Sequence, residues 1–508
     1  MKTTNKNKKT KRCKKGKKGG KARTSGGFGC LFKPALKCKN TLNYDKGKGE
    51  KMVTKLMTTD HARDEYKQIS EFKKILVNIP NYQNYFLVNG FSICEPAKLT
   101  EEDLEDFDEN CDALQKKQIT GANINQNLDK ILALNMPDGG IDVDDYVFDI
   151  TDSKKVKSAY TELNNSLVDL LVNGIQPMNQ ANLFHCDVKG SNILVQDHKV
   201  DESLITRLID WGLSIYIQDV REKASIPDKL DRRPFQFNVP FSVILFNKKF
   251  LEKYDRFLKN KTNKDLKMDY YTIREFVINY IFYWNKERGA GHLKTINSIV
   301  KHLSYNELTA IENKKVKDHV IEYEFTYYYI VEYISKILFK YTVNGKLNLL
   351  EYFNRIFLRN IDVWGLTMIY MVFLDHVQEV FFNKNDDENN LTNVSHGQFI
   401  QKIKYIIIHF LFETPTEVIN INDLATELQS LNELIANFDR SNLGNGEKVN
   451  YFASLKKIDT TDIKVIGGKI HNKTKSRTKS RTKSRTKSRT KSRTRTIKKR
   501  TRTKGKKL

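Results

Sequence analysis

Two short stretches hold residue types that could do chemistry together. The first is FHCDVKGSNILV, Phe184 to Val195, and the second is LIDWGLS, Leu208 to Ser214. They place His185, Asp187, Lys189 and Asn192 in one loop, with Asp210 eighteen residues after Asn192. Transfer of a phosphoryl group from ATP needs such a set. One carboxylate orients the attacking hydroxyl, a Lys meets charge building on the transferred phosphate, and an Asn and a second Asp hold Mg²⁺ against the phosphates. The apolar runs Ile193-Leu194-Val195 and Leu208-Ile209 read as short strands that carry the loop and fix it.

HCDVKGSN resembles the protein-kinase catalytic loop H-R-D-x-K-x-x-N, and IDWG resembles the metal-binding D-F-G of that family. The resemblance implies ATP and Mg²⁺ as cofactors. It makes Asp187 the base or orienting carboxylate, Lys189 the stabiliser of the transferring phosphate, and Asn192 and Asp210 the Mg²⁺ ligands. His185 is read as structural and Trp211 as core. Lys189, two residues after Asp187, is the Ser/Thr-kinase form, so the implied partner is a protein substrate. Cys186 stands where the family carries the Arg that pairs with a phosphorylated activation loop, which implies an enzyme that does not need that phosphorylation. The chain is similar to divergent Ser/Thr kinases of large DNA viruses. Two rivals stay open. H-x-D-x-x-x-x-N followed by IDW also resembles aminoglycoside and choline kinases, small-molecule phosphotransferases, and a catalytically dead scaffold of the same fold is the third reading.

The implied fold is α+β and bilobal, a small β-rich lobe and a large helical lobe. TSGGFGCLF, from Thr24, resembles the family's Gly-rich loop over phosphates, with Gly26, Gly27, Phe28, Gly29 and Leu31 against the nucleotide; Thr24 stands where the first glycine is usual. In MVTKLM, Lys55 resembles the lysine that contacts ATP. In the helical stretch after it, Glu65 is the first choice to pair with Lys55 and Glu71 the second. Asn84 to Cys94 reads as strand, Asn89-Gly90 turn and strand, and residues 100–112 as an acidic surface segment. Leu128 to Asp138 looks like the strand that ends in the interlobe hinge, where backbone near Asn135 and Met136 would meet adenine and Pro137 offers no N–H. Residues 155–180 are helical, with Leu163, Leu167, Leu170 and Leu171 on one face. No A-P-E follows IDWG; RRPFQFNVPFSVILFN, Arg232 to Asn247, would end the activation segment and wall the substrate side. IDVWGLTMIYMVFL resembles the buried helix behind the catalytic loop, with Asp362 near its N-terminus bracing that loop. The boundaries are therefore 1–23 basic tail, 24–138 N-lobe, 139–247 C-lobe with the catalytic loop, 248–358 helical insertion, 359–445 remaining C-lobe and 446–508 linker and tail.

Charge separates tails from body. The chain carries +26, but residues 1–25 hold 12 Lys/Arg without acids and residues 469–508 hold 20, which leaves −6 between them. KSRT repeats five times in tandem from Lys475. Like-charge repulsion and the lack of apolar residues predict disorder for both tails. They bind nucleic acid or another polyanion, target the chain to the nucleus, or serve as an internal substrate; no aromatic platform is interleaved for reading bases. The six cysteines show neither zinc spacing nor a disulfide framework and suit a reducing compartment. No apolar run in the sequence approaches the roughly 18 residues of a membrane span, and no secretory signal opens the chain. A soluble, intracellular protein with no membrane partner is expected; oligomeric state is unspecified.

Overall fold

The structure, a computed structural model, describes residues 21–25, 29–39, 52–150, 152–197, 203–217, 226–231, 233–262, 269–304, 326–381 and 395–438. Residues 1–20, the whole C-terminal basic tail, and residues 26–28 and 40–51 thus lie outside the described residues, whereas the end of the first tail, for which disorder is the expectation, is a strand over Lys21–Ser25 because it pairs with Cys30–Lys33. What is described is mixed α and β, mostly helical, with small antiparallel sheets.

Five short strands form the first sheet: β1 (Lys21–Ser25), β2 (Gly29–Lys33), β3 (Met52–Thr58), β4 (Ser92–Cys94) and β5 (Ile131–Pro137), in the order β1-β2-β3-β5-β4. Side chains alternate between faces along each strand. The register sets Leu31 opposite Lys55, Lys55 opposite Leu134 and Leu134 opposite Ile93, so these four share one face. Helix α1 (Thr59–Leu76) follows β3 directly. Its buried positions are Ala62, Glu65, Ile69, Phe72 and Leu76, spaced by three and four as one helical stripe requires. Asp60 in its first turn and Lys73 and Lys74 in its last suit the helix dipole.

The other face of the sheet carries a second core, and here the expectation of an acidic surface segment is corrected. Leu99, Phe107, Cys111, Leu114, Ile119 and Ile124 are buried with Phe32, Leu36, Leu56, Ile131 and Ala133. Most of the acids between them stay on the outer side of three short helices, Asp103 being buried as the partner of Thr100 in a capping box, while the sparse apolar residues dock. The cysteine reading is corrected too. Cys30 is bonded to Cys111 and Cys38 to Cys94, with Cα separations of 5.3 and 5.8 Å. Pairing across a sheet leaves no local spacing signature, which is why the sequence hid it. Closing a loop of this size is worth roughly 2–5 kcal/mol. Alkylation of the unfolded, unreduced protein is expected to leave Cys30, Cys38, Cys94 and Cys111 unlabelled, and reduction is expected to lower Tm. Labelling of all six without reduction would contradict the pairing.

Beyond β5 the chain turns at Gly140, whose φ of +105° and whose approach to Val195 O (2.0 Å from where a Cβ would stand) admit only glycine. Strands β6 (Ile141–Asp142), β8 (Ile193–Asp197) and β9 (Leu204–Leu208) form a second sheet in the order β6-β8-β9, and β7 (Leu183–Phe184) pairs with β10 (Ile215–Tyr216). These pairs hold the two ends of the 184–195 loop. The segment before Asn89-Gly90 is not a sheet strand. Phe86 makes a single parallel bridge to Leu208 instead, with Leu87 N donating to Leu208 O at 3.1 Å and Leu208 N to Tyr85 O at 2.9 Å. This splice ties the first sheet's neighbourhood to the second.

Helix Ser153–Asp169 and its continuation bury Leu163, Leu167, Leu170 and Leu171, as their spacing predicts. The 248–358 block is helical over Lys248–Thr262, Tyr270–Arg288, Leu293–Ser304 and Tyr327–Tyr341. Among the described residues it has no separate core: Phe250, Ile281, Trp284 and Ile334 belong to the same cluster as Phe72 and Leu163. The helical run Leu349–Val377 is long and apolar enough to cross a membrane, but 94% of its most apolar window is buried inside the protein. Its hydropathy is that of a core element.

Candidate active site

Asp187 lies at the centre of the loop between β7 and β8. It is 7% exposed, and three side chains converge on its carboxylate. Lys189 Nζ donates to Oδ2 at 3.0 Å, Asn192 Nδ2 donates to Oδ2 at 3.0 Å and to the Asp187 carbonyl at 2.8 Å, and Asn238 Nδ2 donates to Oδ1 at 2.9 Å. The carboxylate is thus fixed in orientation before any substrate arrives.

Lys55 reaches the same region from the first sheet. Its Nζ is 2.8 Å from both Glu65 oxygens and 3.5 Å from Asp210 Oδ1. Glu65 sits on the buried stripe of α1, whereas Glu71 is exposed, so the structure brings Glu65 and not Glu71 to Lys55. Burial works against the charge on Lys55, yet Asp210 and Glu65 outweigh it and raise the ammonium pKa. Burial raises Glu65 as well, with Lys55 opposing. For Asp210, burial is outweighed by Lys55, His185 and Lys189, so its carboxyl lies below the usual range. Asp210 has φ +63° and its side chain is 40% exposed, which leaves a charged oxygen presented to solvent beside Lys55.

Behind the loop a buried frame holds it. Asp362 accepts from His185 N at 2.8 Å and Cys186 N at 2.7 Å. Asp362 was expected near a helix N-terminus; it lies instead inside the helix Leu358–Ile369. The loop reaches it because the helix presents Gly365 at the contact: a Cβ there would stand 2.4 Å from Val188 O. His185 Nε2 meets Ile209 O at 2.9 Å, and its ring packs 5.1 Å from Trp211, in keeping with a structural role. Trp211 in turn contacts Phe72 of α1 at 6.0 Å and Phe86 at 5.8 Å. One aromatic stack therefore links α1, the 208–214 stretch and the loop.

The remaining expected residues fall into three groups. Gly26, Gly27 and Phe28 lie outside the described residues. Gly29 and Leu31 are in β2, with Leu31 on the Lys55 face. Asn135 is inside the sheet opposite Thr54 and Ser92, and its side chain turns to the Cys38–Cys94 disulfide, away from Lys55. Met136 is on the Lys55 face, and from Met136 onward β5 pairs only with β3 among the described residues.

Sequence reading missed two residues. Asn238 positions Asp187, and Arg233 donates from both terminal nitrogens to Cys186 O at 3.1 Å. Both come from the 232–247 stretch, where no pattern marked them beyond the charged Arg232-Arg233 pair. Cys186 itself is buried and its thiol is raised well above its ordinary value by burial, so it is not a nucleophile.

Asp144 packs beside the loop: a Cβ on Gly190 would stand 1.9 Å from its Oδ1. Burial, with Asp142 and Asp145 adding to it, pushes its carboxyl up to about 6. A folded-state pKa above the unfolded one means that the native state holds the extra proton between about pH 4 and 6, so stability falls as pH rises through that window. Asp144→Asn is expected to raise Tm at pH 7.5, by at most roughly 2 kcal/mol of stability, and by about a third as much at pH 4.5, where the unfolded carboxyl is already mostly ionised. An equal shift at both pH values would contradict this.

Among the described residues no group of three His, Cys, Asp or Glu forms a metal cluster. The donors on hand are the Asp210 carboxylate and the Asn192 amide oxygen, whose nitrogen is already used on Asp187. Hard oxygen donors fit Mg²⁺ rather than zinc. A fixed carboxylate and two lysines can orient a hydroxyl and neutralise phosphate charge. Neither the protein-family models nor the curated proteins contain a match to this chain.

Proposed function

We propose that the chain is an ATP- and Mg²⁺-dependent protein kinase of bilobal, kinase-like fold that phosphorylates Ser or Thr hydroxyls. The lobes are residues 24–138 and residues 139–247 with 359–445, and 248–358 is a helical insertion. One observation carries the reading: a single ammonium, Lys55 Nζ, meets Glu65 at 2.8 Å and Asp210 at 3.5 Å across 155 positions of sequence, and Asp210 lies two residues after Leu208, which β9 pairs to the 184–195 loop. In this reading Lys55 holds the nucleotide phosphates and Lys189 meets the charge on the transferred group. Asp187 orients the acceptor hydroxyl and receives its proton as the hydroxyl oxygen bonds to the γ-phosphorus and the bond to ADP breaks. Asn192 and Asp210 hold Mg²⁺, which supplies charge neutralisation. Met136 and the half-paired end of β5 line the adenine side.

Arg233 supports independence from activation-loop phosphorylation. Its guanidinium, buried against the loop, supplies from the chain itself the cationic contact that Cys186 cannot make. Its tails hold polyanions by charge.

Nucleotide binding tests the pocket. Mg²⁺-ATP at a hundred-fold excess over Kd is expected to stabilise the wild type by about 2.7 kcal/mol, read as a rise in Tm. Lys55→Met and Asp210→Ala are expected to abolish that rise. An equal rise in both variants would place the nucleotide elsewhere.

A further inference from the structure

Helices Lys248–Thr262 and Tyr270–Arg288 of the insertion enclose a groove of about 450 Å³ that the phosphoryl-transfer reading leaves unused. This is the size of site that takes a small ligand or one unit of a polymer. Its floor is aromatic: Phe257, Phe276 and Tyr283 line it and are only half-buried. Its rim is cationic: Lys253, Arg256 and Lys261 stand around those rings. Lys253 Nζ lies 3.8 Å from the centre of the Tyr283 ring. Helix Lys248–Thr262 carries six Lys/Arg and two acids, in a body that is otherwise mildly acidic. The neighbouring Lys249 and Lys259 are neutralised by Glu287 and Asp255. Among the described residues Arg256 and Lys261 form no ion pair, so their charge is available to a ligand.

Cations beside partly exposed aromatic rings are what holds a single strand, by phosphate contact and base stacking together. The two tails carry abundant charge and no aromatic residue. The groove supplies the platform that they lack. We propose that this groove binds single-stranded nucleic acid, stacking bases on Phe257 and Phe276, beside the Tyr283 ring that Lys253 covers, with phosphates against Arg256 and Lys261, while the tails add non-specific attraction. An acidic peptide would satisfy the cations but leave the rings without a stacking partner.

The test uses the full chain, a fluorescein-labelled oligothymidylate of about ten nucleotides, within the size range of such grooves, and an iodouracil-substituted version for photo-crosslinking. Crosslinks are expected at Phe257, Phe276 or Tyr283. The doubly substituted Arg256→Glu/Lys261→Glu chain changes only rim residues, so its fold is checked simply by its melting curve. It is expected to lose those crosslinks at least ten-fold while keeping any in the tails. In anisotropy titrations, Arg256→Ala with Lys261→Ala is expected to reduce the salt slope by about 1.4. Crosslinks confined to residues 1–25 and 469–508 would overturn the proposal. So would displacement of the oligomer by poly-glutamate as effective as that by unlabelled oligomer of equal charge, which would reassign the groove to acidic peptides. No nucleoside triphosphate is present, so the result is independent of whether the chain transfers phosphate.

Discussion

Asp187→Asn is expected to slow phosphoryl transfer by about 10²–10⁴-fold, the range for losing a positioned acid or base. Three donors surround the carboxylate: Lys189, Asn192 and Asn238. An amide keeps one acceptor and turns a second –NH₂ toward those donors. The side chain then neither accepts the hydroxyl proton nor holds the orientation that Asn238 and Lys189 impose. Nucleotide affinity is expected to stay within a few-fold, because Lys55, Glu65 and Asp210 are untouched. The check is single-turnover transfer beside nucleotide titration and a melting curve. A variant retaining more than about a tenth of the wild-type rate would remove Asp187 from its role.

Asp362→Ala is expected to have the largest effect on stability. The carboxylate is fully buried and takes the backbone N–H groups of His185 and Cys186. Alanine leaves both donors buried and unpaired, at roughly 1–3 kcal/mol each. The expected loss of about 2–6 kcal/mol is a large part of the stability of an ordinary domain. It should appear as a lower urea midpoint with an unchanged slope. Asp362→Asn keeps an accepting oxygen and should fall between. The loop it braces carries Asp187, so activity should fall further than the unfolded fraction accounts for. A loss under about 1 kcal/mol for the alanine variant would show that the brace is not needed.

How much was legible depended on whether the cause was local. Glu65 could be chosen because its partner Lys55 lies ten residues away across one strand-to-helix junction. The stripe Ala62, Ile69, Phe72, Leu76 also runs through Glu65 and not Glu71. The loop residues are local by nature, and the pairing of β8 with β9 brings Asp210 beside them. Asn238 and Arg233 act on residues about fifty positions earlier, and nothing in their neighbourhood announces it. The disulfides join cysteines 81 and 56 positions apart. The 100–112 segment misled for a physical reason: acids dominate its composition, while a few apolar residues such as Phe107 do the docking. Asn135 and Met136 were placed together by strand order, but only pairing distinguishes their backbones: Asn135 has a strand on each side, whereas β4 ends before Met136.

The central claim is that this site moves the γ-phosphate of ATP onto protein hydroxyls. The most direct measurement is incubation of the full chain with γ-labelled ATP, Mg²⁺ and basic and acidic proteins, with sugars and choline in parallel, followed by phosphoamino-acid analysis. The account predicts Mg²⁺-dependent label on Ser and Thr of protein, absent with Asp187→Asn. Bound nucleotide without transfer, or label on the small molecules alone, would contradict it.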